Sequence, residues 1–125
     1  MKLSEIVQKL NGKVLNSKIN LEIEVNGAGA ADLMSDVLAS IQPQAVLLTG
    51  LCNPQVVRTA MMADVLAIVL VRSKMPPVET VQLAENESIP LISTPYGMFE
   101  ACGILYEAGL NCLERPVSDQ DCFAS

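Results

Sequence analysis

The stretch Val65-Leu66-Ala67-Ile68-Val69-Leu70-Val71 is an unbroken apolar run, and the polar residues Arg72-Ser73-Lys74 follow it. A run that is rich in Val and Ile and ends in turn residues is typical of a strand with both faces buried, as in the middle of a parallel sheet. Shorter runs of the same kind lie at 45–49 and 89–93. Each run precedes a helical pattern, and this alternation predicts βαβ units. We therefore expect an α/β fold of three layers, α/β/α, with a mostly parallel, Rossmann-like central sheet.

Length and hydropathy limit the class of protein. The chain has 125 residues, enough for a single domain that needs no metal or disulfide for stability. We expect this domain to span residues 1–113, with a loose polar tail at 114–125. No apolar stretch approaches the roughly 18–20 residues of a membrane span, and the first residues are polar where a signal peptide would have an apolar core. The sequence thus favours a cytoplasmic protein.

The charged residues argue against several kinds of partner. The formal net charge is −6 and the 8 Lys and Arg residues are scattered, so we expect no binding to nucleic acid or to an anionic membrane. Histidine is absent from the sequence, which removes the commonest general base and the commonest zinc ligand. The Gly-rich loops of kinases and dinucleotide enzymes are absent as well. We therefore predict a protein that is not an enzyme and that needs no cofactor or metal.

Periodicity predicts the elements around the central strands. Residues 3–10 show the apolar spacing of a short amphipathic helix. Residues 19–25 alternate apolar and polar side chains, which predicts a half-exposed strand, and Asn26-Gly27-Ala28-Gly29 is expected to break the chain. Residues 33–41 predict the next helix, and 110–113 a last short strand.

Three helices are expected to begin in the loops that follow the apolar runs. Asn53 is a suitable N-cap, with Pro54 at the first helical position. Pro76-Pro77 marks the start of the second helix. Thr94 is expected to cap the third, which would open with Pro95.

Those three loops should lie together at the carboxyl edge of the sheet, where open α/β folds bind ligands at a switch in strand order. The second loop carries two cations and a hydroxyl beside a helix N-terminus, and with free backbone N–H groups these suit an anion such as a phosphate or carboxylate. The alternative is that the cations are solvated and Ser73 only shapes the turn, while Thr94 and Tyr96 are caps or rim residues. Asp32 and Asp36, one turn apart on a helix, are interpreted as solvated surface. The candidate ligand-binding residues are Gly50, Asn53, Arg72, Ser73, Lys74, Thr94 and Tyr96.

The 4 cysteines offer a different chemistry. Cys52 precedes a predicted helix N-terminus, which would lower its thiol pKa, but no His or Lys is near it in sequence, so a structural role is favoured. Cys102 lies on the apolar stripe of the last helix and is expected in the core. Cys112 and Cys122 lack the short spacing of zinc and iron–sulfur sites, and disulfides are not expected.

The ordered combination of Gly27 to Ala39, Leu48-Thr49-Gly50, the run at 65–71 and Ile89 to Phe99 resembles the DRTGG domain family. The resemblance covers about residues 1 to 110. Within that family, the chain is most similar to small free-standing members encoded beside iron-only hydrogenases in anaerobic bacteria.

The resemblance implies an α/β/α domain similar to the N-terminal domain of HPr kinase/phosphorylase, of the kind also found next to the catalytic part of phosphotransacetylases. It further implies a regulatory or ligand-sensing role without catalytic machinery, and self-association. The chain departs from the name motif of the family: Leu51-Cys52-Asn53-Pro54 replaces its Asp-Arg, and Val71-Arg72-Ser73 replaces its Thr-Gly-Gly. Both departures fall in the loops expected to bind the ligand.

The sequence therefore predicts a non-catalytic accessory domain that binds a small anionic metabolite or nucleotide at the carboxyl edge of the sheet. That this domain forms a homo-oligomer is what the resemblance implies. The resemblance adds a hydrogenase or related redox-enzyme subunit as the expected partner. Two alternatives stay open. One is a self-associating interaction or assembly module with no small ligand. The other is a small enzyme or thiol-dependent redox protein that uses Cys52, which is the weaker because His is absent and no nucleophile and base are paired in the sequence.

Overall fold

The structure is a computed structural model that describes residues 1–116. Of the expected tail at 114–125, only 114–116 belong to the described residues, and Cys122 lies outside them. The elements are α1 (Leu3–Lys9), β1 (Lys13–Val14), β2 (Gly27–Ala30), α2 (Met34–Ser40), β3 (Val46–Thr49), α3 (Pro54–Met62), β4 (Ala67–Leu70), α4 (Val78–Asn86), β5 (Leu91–Ser93), α5 (Met98–Glu107) and β6 (Asn111–Cys112). None of the helices in this part of the chain has the length and apolar character needed to cross a bilayer.

Within residues 1–116, the strands form one sheet in the order β1-β5-β4-β3-β2-β6. The pairs from β5 to β6 are parallel, and only the short edge strand β1 runs antiparallel, beside β5. The apolar run that the sequence singles out forms β4, which pairs with β3 on one side and β5 on the other. The prediction of a mostly parallel sheet with this run near its middle is confirmed.

Helices cover both faces of the sheet because each central strand is apolar on both sides. Alternate strand residues such as Leu48, Val69 and Ile92 pack with α1 and α5 in one buried cluster. The intervening residues, such as Leu47 and Ile68, pack with α2, α3 and α4 in the other. The molecule is therefore an α/β/α sandwich. Of the helices that follow a parallel strand, α2, α3 and α4 lie on one face of the sheet, and α5 lies on the other face with α1.

The segment before β2 differs from the expectation. Residues 19–25 do not form a strand and make only an isolated bridge between Glu24 and Lys2. Their carbonyl groups instead accept hydrogen bonds from the first turn of α1: Leu3 N donates to Ile23 O at 3.0 Å and Ser4 N donates to Leu21 O at 2.8 Å. The predicted strand was wrong because the alternating apolar side chains pack onto α1, and the segment satisfies the free N–H groups of that helix.

The Gly-Ala stretch that was expected to break the chain is the strand β2, which pairs with β3 and β6. It was missed because Gly and Ala have low strand propensity. Its glycines are required by close neighbours: a Cβ at Gly27 would lie 2.6 Å from the Asn111 carbonyl oxygen, and one at Gly29 would collide with Ile41. Beyond β6, Glu114 forms an isolated antiparallel β-bridge with Ile41.

Candidate functional site

The connections after β4 and β5 leave the sheet in opposite directions. The chain passes from β4 to α4 on one face, whereas it passes from β5 to α5 on the other. Adjacent parallel strands whose connections diverge leave a crevice at their carboxyl ends, and α/β proteins bind ligands there. We call this place the switch crevice and define it by Arg72, Ser73, Thr94, Tyr96 and Gly97.

The main chain of Arg72 and Ser73 adopts an unusual conformation that the crevice itself holds in place. Their φ angles are +61° and +52°, a left-handed region that costs a non-glycine residue about 1–2 kcal/mol. Arg72 N donates to Tyr96 O and Ser73 N donates to Thr94 O, each at 2.8 Å. These bonds tie the two loops together. They also occupy the N–H groups of Arg72 and Ser73, in the loop that was expected to hold an anion, so a ligand would meet the side chains of these two residues instead.

The side chain of Arg72 lies over the beginning of α5. Its Nε is 3.7 Å from the position that a Cβ would take at Gly97, the N-cap of this helix. Within residues 1–116 no side chain makes a capping hydrogen bond to α5, and the helix dipole places partial positive charge at its first N–H groups. Ser73 and Lys74 are exposed nearby in the same loop. Glu100 in the first turn of α5 offsets part of this positive charge.

Thr94 and Tyr96 form the other side of the crevice. Thr94 is fully buried, and its hydroxyl donates to Leu10 O at 2.6 Å and accepts from Tyr96 N at 3.3 Å. The expected cap at Thr94, with Pro95 opening the helix, was wrong: α5 begins at Met98 because the hydroxyl is bonded to the end of α1. Thr94 thus fixes the loop, while the half-buried Tyr96 lies at the rim.

The loop after β3 is tied to the loop after β2 by a carboxylate that the sequence analysis treated as solvated surface. Asp32 Oδ1 accepts from Gly50 N at 2.7 Å and from the Thr49 hydroxyl at 3.2 Å. The Thr49 oxygen in turn accepts from Leu51 N at 3.1 Å. The sequence carried no clear signal for this role, because the Gly-Ala stretch before Asp32 has low strand propensity and was not recognised as a strand.

Gly50 and Asn53 lie along the same edge. A Cβ at Gly50 would be 3.5 Å from Asp32 Oδ1 and 3.8 Å from Val71 Cγ2, so Gly50 lies between the ends of β2 and β4. Asn53 is the N-cap of α3 with Pro54 at its first position, as predicted, although the Asn53 side chain makes no capping hydrogen bond. The structure thus brings the three predicted loops to one edge, with Arg72 and Ser73 in direct contact with the loop that carries Thr94 and Tyr96.

The cysteines are outside the switch crevice, although Cys52 lies between Gly50 and Asn53 on the same edge of the sheet. Cys52 is half-buried, and its carbonyl oxygen accepts from the Thr80 hydroxyl at 2.9 Å. Burial raises the pKa of the Cys102 thiol, and the Glu114 carboxylate raises it further. Cys112 is exposed at the sheet edge. Within residues 1–116, no group of three or more His, Cys, Asp or Glu side chains is placed to hold a metal ion.

Comparison with known proteins gives the chain its family. The fold is similar to a crystal structure of the CBS and DRTGG domains of the regulatory region of Clostridium perfringens pyrophosphatase, complexed with its activator diadenosine tetraphosphate. The TM-score is 0.66 at 18% identity, over 83% of this chain and 45% of that chain, so the present chain spans less than half of that structure. Among curated proteins no significant match was found. The model of the DRTGG domain matches residues 5–108, and the chain belongs to the DRTGG domain family.

Proposed function

We propose that this protein is a non-catalytic, ligand-sensing regulatory domain that binds a small anionic metabolite or nucleotide in the switch crevice. One observation carries the proposal: the Arg72 guanidinium lies over the N-terminus of α5, which no side chain among residues 1–116 caps, at the place where the connections of two adjacent strands diverge. A guanidinium and a helix N-terminus are both suited to phosphate or carboxylate oxygens. The regulatory character of the family supports this role, and so does the nucleotide activator in the structure of the pyrophosphatase regulatory region.

The residues of the edge divide into two groups by their chemistry. Arg72 and Lys74 supply positive charge, and the exposed Ser73 supplies a hydroxyl that can donate to an anion. Thr94 and Tyr96 hold the shape of the loop, and Gly50 and Asn53 form the neighbouring rim. These assignments predict that charge removal at the first group weakens binding while leaving the fold intact.

A sensor must also report its occupancy. A ligand shifts a conformational equilibrium only if it prefers one arrangement over another, and α5 is the element that the crevice touches directly. We propose that this arrangement is read by a protein partner in the cytoplasm, such as a hydrogenase or related redox-enzyme subunit, and that the domain acts as a homo-oligomer. The hydrogenase partner rests on the resemblance to free-standing members of the family.

The first test is a thermal-shift screen of the reduced protein against nucleotides, sugar phosphates, acyl phosphates and short carboxylates. A ligand at about 100 times its dissociation constant adds about 2.7 kcal/mol to the free energy of unfolding, which corresponds to several degrees for a domain of this size. We expect at least one anionic compound to raise the melting temperature of the wild type by that amount. The shift should be lost in Arg72→Ala and reduced in Lys74→Ala.

Arg58→Ala is the matched control, because Arg58 is an exposed arginine on α3. It should keep the full ligand shift. A ligand shift that persists in the Arg72→Ala, Lys74→Ala double variant would reject the switch crevice as the site, whatever the ligand.

The alternative function, self-association without a small ligand, is favoured by one observation on α5. Phe99 and Tyr106 lie two turns apart on this helix and are 87% and 75% exposed. Exposed aromatic side chains on one helix face are a common feature of protein interfaces. This alternative takes first place if no compound shifts the melting temperature and light scattering gives a dimer that dissociates in Phe99→Ser.

A further inference from the structure

A cavity of about 170 Å³ lies between α5 and the β2–β6 edge of the sheet, away from the switch crevice. Its walls are mainly apolar and include Ala28, Ala30, Leu48, Leu105, Tyr106 and Leu110. The Cys102 thiol and the Glu114 carboxylate also line it. An apolar cavity of about 150 Å³ inside a protein is large enough to bind benzene, so this space has the size of an aromatic ring.

The cavity follows from the composition of β2. Ala28 and Ala30 contribute only methyl groups to the layer that β2 shares with α5, where the neighbouring strand β3 contributes Val46 and Leu48. The two glycines of β2, in contrast, allow close packing, since each is in close contact with a neighbouring side chain. The Gly-Ala sequence thus brings β2 close to its neighbours at the glycines and leaves space beneath α5 at the alanines.

The Glu114 carboxylate gives this mainly apolar space a chemical preference. Glu114 Oε2 accepts from Ala30 N at 2.9 Å, which fixes the carboxylate at the wall. A carboxylate has about four acceptor sites, so this bond leaves capacity for a donor on a ligand. The same negative charge disfavours an anionic ligand. The cavity should therefore bind a different class of ligand from the switch crevice.

We propose that this cavity is a second binding site, for a planar aromatic heterocycle whose ring lies between β2 and α5 and whose ring N–H group donates to Glu114. The apolar walls bury the ring, and Tyr106 supplies an aromatic neighbour for it. The hydrogen bond to the carboxylate sets the orientation and rejects rings that lack a donor. The proposal does not depend on the anion site.

Indole and benzofuran are the probes, because they have the same shape and only indole carries an N–H donor. The chain contains no Trp, so indole fluorescence reports on the ligand alone. We expect saturable binding of indole and binding of benzofuran that is about tenfold weaker, as the loss of a hydrogen bond to a charged acceptor implies. Indole should also slow alkylation of Cys102 by a maleimide, while alkylation of Cys52, which does not line the cavity, stays unchanged.

Two variants test the assignment. Ala30→Leu should fill the cavity and abolish indole binding and the protection of Cys102. Glu114→Gln can still accept from Ala30 N, but it lacks the charge and should bring the affinities for indole and benzofuran close to each other. Equal affinity of the two probes in the wild type, or unchanged indole binding in both variants, would overturn the proposal. Arg72→Ala should leave indole binding unchanged, which separates this site from the proposed anion site.

Discussion

Asp32 shows how one side chain determines the shape of the carboxyl edge. It follows β2 after one intervening residue, Ala31, and its Oδ1 accepts hydrogen bonds from the main chain and the side chain at the end of β3. The loop after β3 therefore takes its position from a residue of a different strand. Gly50, a candidate ligand-binding residue, donates one of these bonds.

We predict that Asp32→Ala lowers the free energy of unfolding by about 1–2 kcal/mol, because it leaves the Gly50 N–H and the Thr49 hydroxyl without this acceptor. Urea unfolding followed by circular dichroism measures the change. Asp36→Ala is the matched control from the next turn of the chain, since the bond between Ser40 and Asp36 uses the Asp36 carbonyl group and not its carboxylate. Equal losses in the two variants would show that the Asp32 bonds do not hold the loop.

At the level of single residues, the sequence could predict which side chains reach the carboxyl edge but not how they are bonded. Arg72, Ser73 and Thr94 follow buried strands, and that position alone places them there. Their partners could not be predicted, because the bond from Thr94 to Leu10 joins residues that are 84 positions apart in the sequence. The left-handed conformation of Arg72 and Ser73 has the same origin, since bonds to the loop after β5 hold it.

Among the elements, β2 is the one in which side-chain size matters most. Its glycines stand against main chain and side chains of other elements, whereas within residues 1–116 no atom of another element lies within 4 Å of a Cβ added at Gly103 on α5. The same substitution should therefore have opposite effects at the two places.

We predict that Gly27→Ala destabilises the protein by about 1–3 kcal/mol, because its Cβ would press against the Asn111 carbonyl oxygen and the Leu113 side chain. Gly103→Ala should stabilise it by about 0.5–1 kcal/mol, because alanine loses less conformational entropy in a helix. Thermal or urea unfolding of the two variants gives both values. A neutral Gly27→Ala would mean that β6 is not held as closely as the structure shows.

The elements that could be predicted are those whose signal is local. The apolar run at 67–70 and the start of α3 at Asn53-Pro54 depend on composition and on capping, which are features of neighbouring residues. The predictions for β2 and for residues 19–25 were wrong because both conformations depend on distant partners. β2 pairs with β3 and β6, and residues 19–25 bond to α1. Propensity carries no information about such partners.

For the molecule as a whole, one carboxylate joins the chain after β1 to α4. Glu85 accepts from the Ser17 hydroxyl and from Ser17 N, the latter at 2.8 Å. The hydrogen bond from the Ser17 side chain is the main cause of a lowered pKa at Glu85, followed by the bond from its main chain. Since the folded pKa lies below the usual value of 4.5, ionised Glu85 stabilises the fold above that pH, and the contribution is lost as the pH falls through the folded pKa.

We therefore predict that Glu85→Gln loses less stability than the wild type between pH 7 and pH 3, because it has no such group to titrate. Urea midpoints at the two pH values measure the difference. Glu87→Gln, at the C-terminal end of the same helix, is the control and should follow the wild type. If the stability of Glu85→Gln changes with pH as that of the wild type does, the bonds to Ser17 do not lower the pKa of Glu85 in the folded state.

At this scale the sequence was most informative, since the α/β sandwich and the DRTGG family were predicted and are confirmed. The cavity beneath α5 could not have been predicted. It arises where a strand of small residues, a crossing helix and the last described strand meet, and β2 is far in sequence from both α5 and β6.

The crossing of α5 also sets the order in which the protein can be completed during synthesis. β2 leaves the ribosome early, but β6, which covers its edge, follows much later, since the bonded residues Ala30 and Glu114 are 84 positions apart. Until then the edge of β2 is open to other nascent chains, and exposed strand edges are a common origin of aggregation. Gly and Ala also have low strand propensity, so we expect the composition that shapes the cavity to make pairing of this edge with other chains less favourable.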